Sequence, residues 1–105
     1  FEQLLELKAI IDLARRDAAV RQVVVFGHHT PAQFADRREG DLVARWLTEF
    51  EELSGKPVVY LSGGGTARSV QRLEGIPFIQ TGSRKGVQLI TMDPTPGAAW
   101  IRVNP

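Results

Sequence analysis

The sequence predicts a layered α/β domain with a mixed sheet, in which a parallel βαβ core is followed by antiparallel strands in the last third. Three observations carry that expectation. Two short runs of contiguous apolar, mostly β-branched residues each end in a glycine-marked turn, as strands covered on both faces do. An amphipathic helical pattern separates them, and after about residue 75 the pattern changes to short apolar runs divided by turn residues.

Residues 2 to about 18 form the first element. Leu4, Leu5, Leu7, Ile10, Ile11, Leu13 and Ala14 recur at spacings of three and four, leaving Glu6, Lys8, Asp12 and Arg16 mostly opposite, so an amphipathic helix with one core face is expected. Arg15 and Arg16 near its end suit the helix dipole. The first strand is Val23-Val24-Val25-Phe26, and it runs into Gly27 and then His28 and His29, which are the only histidines in the chain. Residues 30–40 read as a polar, proline-marked loop. From Asp41 as N-cap to Leu53, the residues Leu42, Val43, Trp46, Leu47, Phe50 and Leu53 make an apolar stripe, stopped by Ser54-Gly55 with Pro57 behind. Trp46 and Phe50 lie one turn apart and read as core.

Residues 57–61 form the second strand, which runs into Ser62-Gly63-Gly64-Gly65-Thr66. Strand, helix and strand at these lengths form a parallel βαβ unit with a right-handed crossover. Both turns then lie on one edge of the sheet, so His28 and His29 are expected near the glycine turn. Residues 75–82, 87–93 and 99–103 are the remaining strand candidates, with antiparallel neighbours. Pro77 near the start of its strand points to an edge or opening position. No internal repeat, low-complexity tract or linker interrupts the chain, and one domain over 1–105 is expected.

Composition narrows the function classes. Thirteen Lys plus Arg stand against twelve Asp plus Glu, interspersed, which argues against a nucleic-acid surface. The absence of cysteine removes disulfides, thiolate metal sites and a cysteine nucleophile. No apolar run approaches the roughly 18 residues of a membrane span, and the first residues lack a signal-peptide pattern. The chain opens at Phe1 rather than Met, which reads as an excised or processed piece whose upstream part holds further groups.

Among chemistry-bearing residues, a histidine just past a buried strand is held firmly enough to bind a metal. A metal needs three or four ligands, however, and adjacent histidines in an extended loop diverge. Gly63, Gly64 and Gly65 with Thr66 could bare successive N–H groups as an anion nest, or form a plain tight turn. No P-loop lysine follows them, and Ser62 lacks the flanking glycines of a nucleophile elbow.

At the same two turns the sequence resembles the carboxyl-terminal half of the calcineurin-like metallophosphoesterases. Val23-Val24-Val25-Phe26-Gly27-His28-His29-Thr30-Pro31 is similar to that family's hydrophobic strand ending in His-His-Pro. Arg72-Leu73-Glu74-Gly75-Ile76-Pro77-Phe78-Ile79-Gln80-Thr81-Gly82-Ser83 is similar to its later Gly-(Ile/Val)-Pro-(Tyr/Phe) segment. The order and spacing match over most of residues 20–92. The resemblance implies half of a metallophosphoesterase-like sandwich and a two-metal phosphoester hydrolase, with divalent Mn, Fe or Zn. By position His28 becomes a metal ligand and His29 the catalytic candidate, a neighbour of metal or substrate. The family's Gly-His-x-His becomes Gly63-Gly64-Gly65-Thr66, so Gly64 and Thr66 stand where it has histidines, and its amino-terminal Asp-x-His, Gly-Asp-x-x-Asp and Gly-Asn-His motifs are absent.

Two functions follow. One is a catalytically incompetent phosphoesterase relative with a structural or interaction role. The other is part of a metal-dependent phosphodiester hydrolase whose upstream half supplies most ligands, with His28 contributing. Half of a sandwich should also leave a sheet face or edge uncovered, so a homodimer, or contact with the missing amino-terminal half, is expected, with neither nucleic acid nor membrane as partner.

Overall fold

The computed structural model describes residues 2–63, 69–73, 75–81, 89–92 and 101–104. Helix α1 (Glu2–Arg16) leads into strand β1 (Val23–Gly27), a short 3-10 turn (Pro31–Gln33) and helix α2 (Arg37–Ser54). Strands β2 (Val58–Ser62), β3 (Ser69–Leu73), β4 (Ile76–Gln80), β5 (Leu89–Met92) and β6 (Ile101–Asn104) complete the order. The four-stranded sheet runs β1-β2-β4-β3, with β1, β2 and β4 parallel and β3 antiparallel to β4. A separate antiparallel pair joins β5 and β6. The fold is α/β with a mixed sheet, as the composition of its two apolar runs predicts.

Alternation along the strands sorts the core into two faces. On one face Val58, Tyr60, Ile76 and Phe78 meet Leu4 and Ile11 of α1 and Val43, Leu47 and Phe50 of α2, all buried. Trp46 packs against this cluster. On the other face Val59, Leu61 and Ile79 are buried together beside Val24.

Several elements differ from the sequence reading. Helix α2 starts five residues early: Asp36, not Asp41, is the N-cap, and its carboxylate accepts from the Arg38 N–H at 2.9 Å. Arg37, Arg38 and Glu39 are therefore helical; their polarity resembled a loop because Arg37 and Arg38 face solvent. The stop at Ser54 with Gly55 is as expected, Gly55 closing the helix at φ 70°. In α1 only Leu4 and Ile11 are buried, while Leu5, Ile10 and Leu13 are exposed, so its apolar arc is wider than the surface that covers it. Strand β3 was not expected, and only its last two residues, Arg72 and Leu73, fall in the segment read as a motif. Its exposed Ser-Val-Gln-Arg-Leu composition carries little burial signal. Strand β4 runs parallel to β2 rather than antiparallel. Pro77 therefore lies on an inner strand, but its β2 ladder begins only at Phe78, so no bond to that side needs the missing N–H.

One long-range contact fixes α1 to the sheet. The Lys56 ammonium, just before β2, donates to the carbonyls of Ala14 (2.7 Å), Arg15 (3.3 Å) and Asp17 (2.7 Å) at the end of α1. These are the carbonyls a helix end leaves without partners, and the cation also meets the negative end of the dipole. Lys56→Met, which keeps the stem, is expected to lower stability by about 1.5 kcal/mol in urea unfolding, the scale of a charged hydrogen-bond donor at a helix end. A loss below about 0.3 kcal/mol would show that water replaces the ammonium without cost.

Candidate functional site at the carboxyl rim of the sheet

The ladder decides where the candidate residues lie. Gly27 pairs with Ser62, and Ser62 pairs with Gln80, so the next residues His28, Gly63 and Thr81 stand on one rim at the carboxyl ends of the parallel strands. The Thr81 N–H donates to the Ser62 carbonyl at 2.9 Å, joining β2 and β4 just past the ladder. The expected meeting of the histidines with the start of the glycine turn is thus present. Gly64, Gly65 and Thr66 lie outside the described residues.

His28 and His29 are both exposed. Contrary to the divergence expected of adjacent loop residues, the chain bends here, and the two rings meet edge to face with centroids 4.4 Å apart and planes at 68°. Beneath them is a residue that sequence reasoning passed over. Tyr60 is buried, stacks on Phe78 at 5.7 Å, and its hydroxyl donates to the His29 carbonyl at 2.7 Å. Burial pushes the Tyr60 phenol above its ordinary range, which keeps it protonated as a donor. Gly27 is the matching half of this contact, since a Cβ there would overlap the Tyr60 hydroxyl. The aromatic signal of Tyr60 was legible as a strand residue; its reach to the histidine loop was not.

A groove of about 510 Å³ opens beside the rim, lined among others by Phe26, His28, His29, Asp36, Glu39 and Tyr60. Its carboxylates are not a ligand set. Asp36 is committed to capping α2 and approaches the Arg38 Nε at 3.6 Å. Among the described residues, no three His, Cys, Asp or Glu are grouped so as to hold a metal ion. The described residues at this rim therefore do not by themselves fit a two-metal centre, which needs several imidazoles and carboxylates converging on one point. Ser62 and Gln80 complete the rim on the helix side, both buried, and the Ser62 hydroxyl has no hydrogen-bond partner.

Comparison with family models, with curated proteins and with solved structures returns no match to this chain.

Proposed function

We propose that this chain is a catalytically incompetent α/β domain, a relative of the carboxyl-terminal half of calcineurin-like phosphoesterases that serves structure or interaction. The observation that carries this reading is the donor set at the rim. Three parallel strands end together, yet among the described residues the ends of those strands offer His28 and His29 from β1 and only Ser62, Gly63, Gln80 and Thr81 from β2 and β4. Neutral amides and hydroxyls are poor ligands for the divalent ions of phosphoester hydrolysis compared with imidazole and carboxylate. The positions of Gly64 and Thr66 in the sequence point the same way, because no upstream segment restores an imidazole at either.

A second reading has one specific support. His28 and His29 are exposed, adjacent and turned toward each other, so they could complete a site whose other ligands come from an upstream half. In that case the whole protein is a phosphodiester hydrolase and His28 is one of its ligands.

Calorimetric titration of the chain with Mn²⁺ and with Zn²⁺ tests the first reading. The expected result is no two-ion stoichiometry, and at most one weak site that His28→Ala removes. Two ions per chain, both lost in His28→Ala, would overturn it.

A further inference from the structure

We propose that helix α1 is a strap that opens and melts as one unit while the sheet and α2 stay folded, with the Lys56 ammonium as its latch, and that its opening uncovers the apolar floor of the rim groove. The strap is independent of the phosphoesterase relationship proposed above.

A helix of 15 residues is only marginally stable in water by itself, so α1 keeps its form through packing. That packing is thin. Leu4 and Ile11, two turns apart, are its buried side chains, while Leu5, Ile10 and Leu13 are 53%, 64% and 68% exposed. Helix α2, by contrast, buries Gly40, Val43, Leu47 and Phe50 and is closed at its two ends by Asp36 and Gly55. Other bonds at the end of α1 lie within the moving piece. The Asp17 N–H donates to the Leu13 carbonyl, the Val20 N–H to the Asp17 carbonyl, and the Ala19 N–H to the Asp17 carboxylate. They do not resist its departure, and they place the hinge at residues 20–22, just before the β1 ladder opens at Val23. Elements with little buried apolar surface are the ones that open below the free energy of global unfolding.

What resists is Lys56. Its backbone N–H donates to the Ser54 hydroxyl at 3.0 Å, and that hydroxyl donates to the Phe50 carbonyl at 2.6 Å, so the residue is fixed to the end of α2. From there its ammonium crosses to the carbonyls of Ala14, Arg15 and Asp17. One cation thus supplies partners to a helix end that otherwise depends on two buried side chains. The consequence lies at the other end of α1. Gln3, Leu4 and Leu7 form a wall of the groove, facing the buried Val43 and Tyr60. When the strap lifts, Val43 and Tyr60 become an open apolar surface behind the histidine loop that the Tyr60 hydroxyl holds.

Native-state hydrogen exchange reads the opening, since with closing faster than exchange each amide reports the free energy of the event that exposes it. In the unmodified chain the amides of residues 7–16 should exchange as a group, about a hundredfold or more faster than those of Leu47, Val59 and Tyr60. Lys56→Met should speed that group about tenfold, the scale of a charged donor's contribution. Val59→Ala lies on the sheet face away from α1 and alters the open and closed forms alike. It should speed the Leu47 and Tyr60 amides about tenfold and leave the α1 rates unchanged. Exchange of α1 at the rate of the core, or α1 rates that rise with Val59→Ala as the core's do, would mean that the helix leaves only by global unfolding and overturns the proposal. So would α1 rates indifferent to Lys56→Met.

Discussion

Gly40→Val is expected to lower stability by about 3 kcal/mol, and it should do so by parting α2 from the turn that follows the histidine loop. Gly40 is buried in the first turn of α2, and a Cβ there would overlap the carbonyl oxygen of Pro31. That carbonyl belongs to backbone, is itself the acceptor for the Phe34 N–H at 3.2 Å, and cannot rotate away as a long side chain would. Alanine offers a useful contrast. Its better helix propensity returns about 1 kcal/mol, so Gly40→Ala should cost only about 1–2 kcal/mol net. Valine gains little from propensity and adds two methyl groups to the same overlap. Urea midpoints for the two variants, with the exchange rate of the Phe34 amide, check the mechanism as well as the sum. A valine variant within about 0.5 kcal/mol of the parent would mean the helix and turn slide apart freely, and the close approach would carry no weight.

Gly27→Ala is expected to cost about 2–3 kcal/mol, through Tyr60. A methyl at position 27 overlaps the Tyr60 hydroxyl and comes within 2.8 Å of Cζ. The ring cannot yield, because it is buried and stacked on Phe78. Tyr60→Phe alone should cost about 1 kcal/mol for the lost bond to the His29 carbonyl. The double variant is the informative one. Removing the hydroxyl relieves the worse of the two overlaps but leaves Cζ crowded, so the pair should be about 1 kcal/mol better than the sum of the singles. Strict additivity would show that the glycine and the tyrosine are not coupled, and that the histidine loop is held by something else.

These two glycines mark where the sequence was readable and where it was not. The parallel pairing of β1 and β2 follows from two apolar runs joined by an amphipathic helix of the right length, and with it the shared rim of His28 and Gly63. The start of α2 does not follow, because Asp36 and Asp41 are equally good caps by type and only burial of Gly40 against Pro31 chooses between them. β3 was hidden for a similar reason. An edge strand exposed at every residue lacks the burial that makes strands legible, and its pairing with β4 is set by a partner eleven residues away or fewer. At the rim, residue types could be read but not their aim. Nothing in the letters His-His says that the rings meet edge to face, or that the tyrosine two strand residues before Ser62 would reach the loop behind them. That no carboxylates cluster around the imidazoles among the described residues is likewise a matter of placement, since Asp36 is near in sequence but committed to the helix.

The measurement closest to the central claim is hydrolysis of a generic phosphodiester by the natural protein that carries this chain, supplied with Mn²⁺, as the parent and as His28→Ala. The proposed catalytically incompetent domain predicts turnover no faster than the metal alone, and no difference between parent and variant. Metal-dependent turnover by the parent that His28→Ala abolishes would contradict the account and establish the rim as part of a working hydrolase.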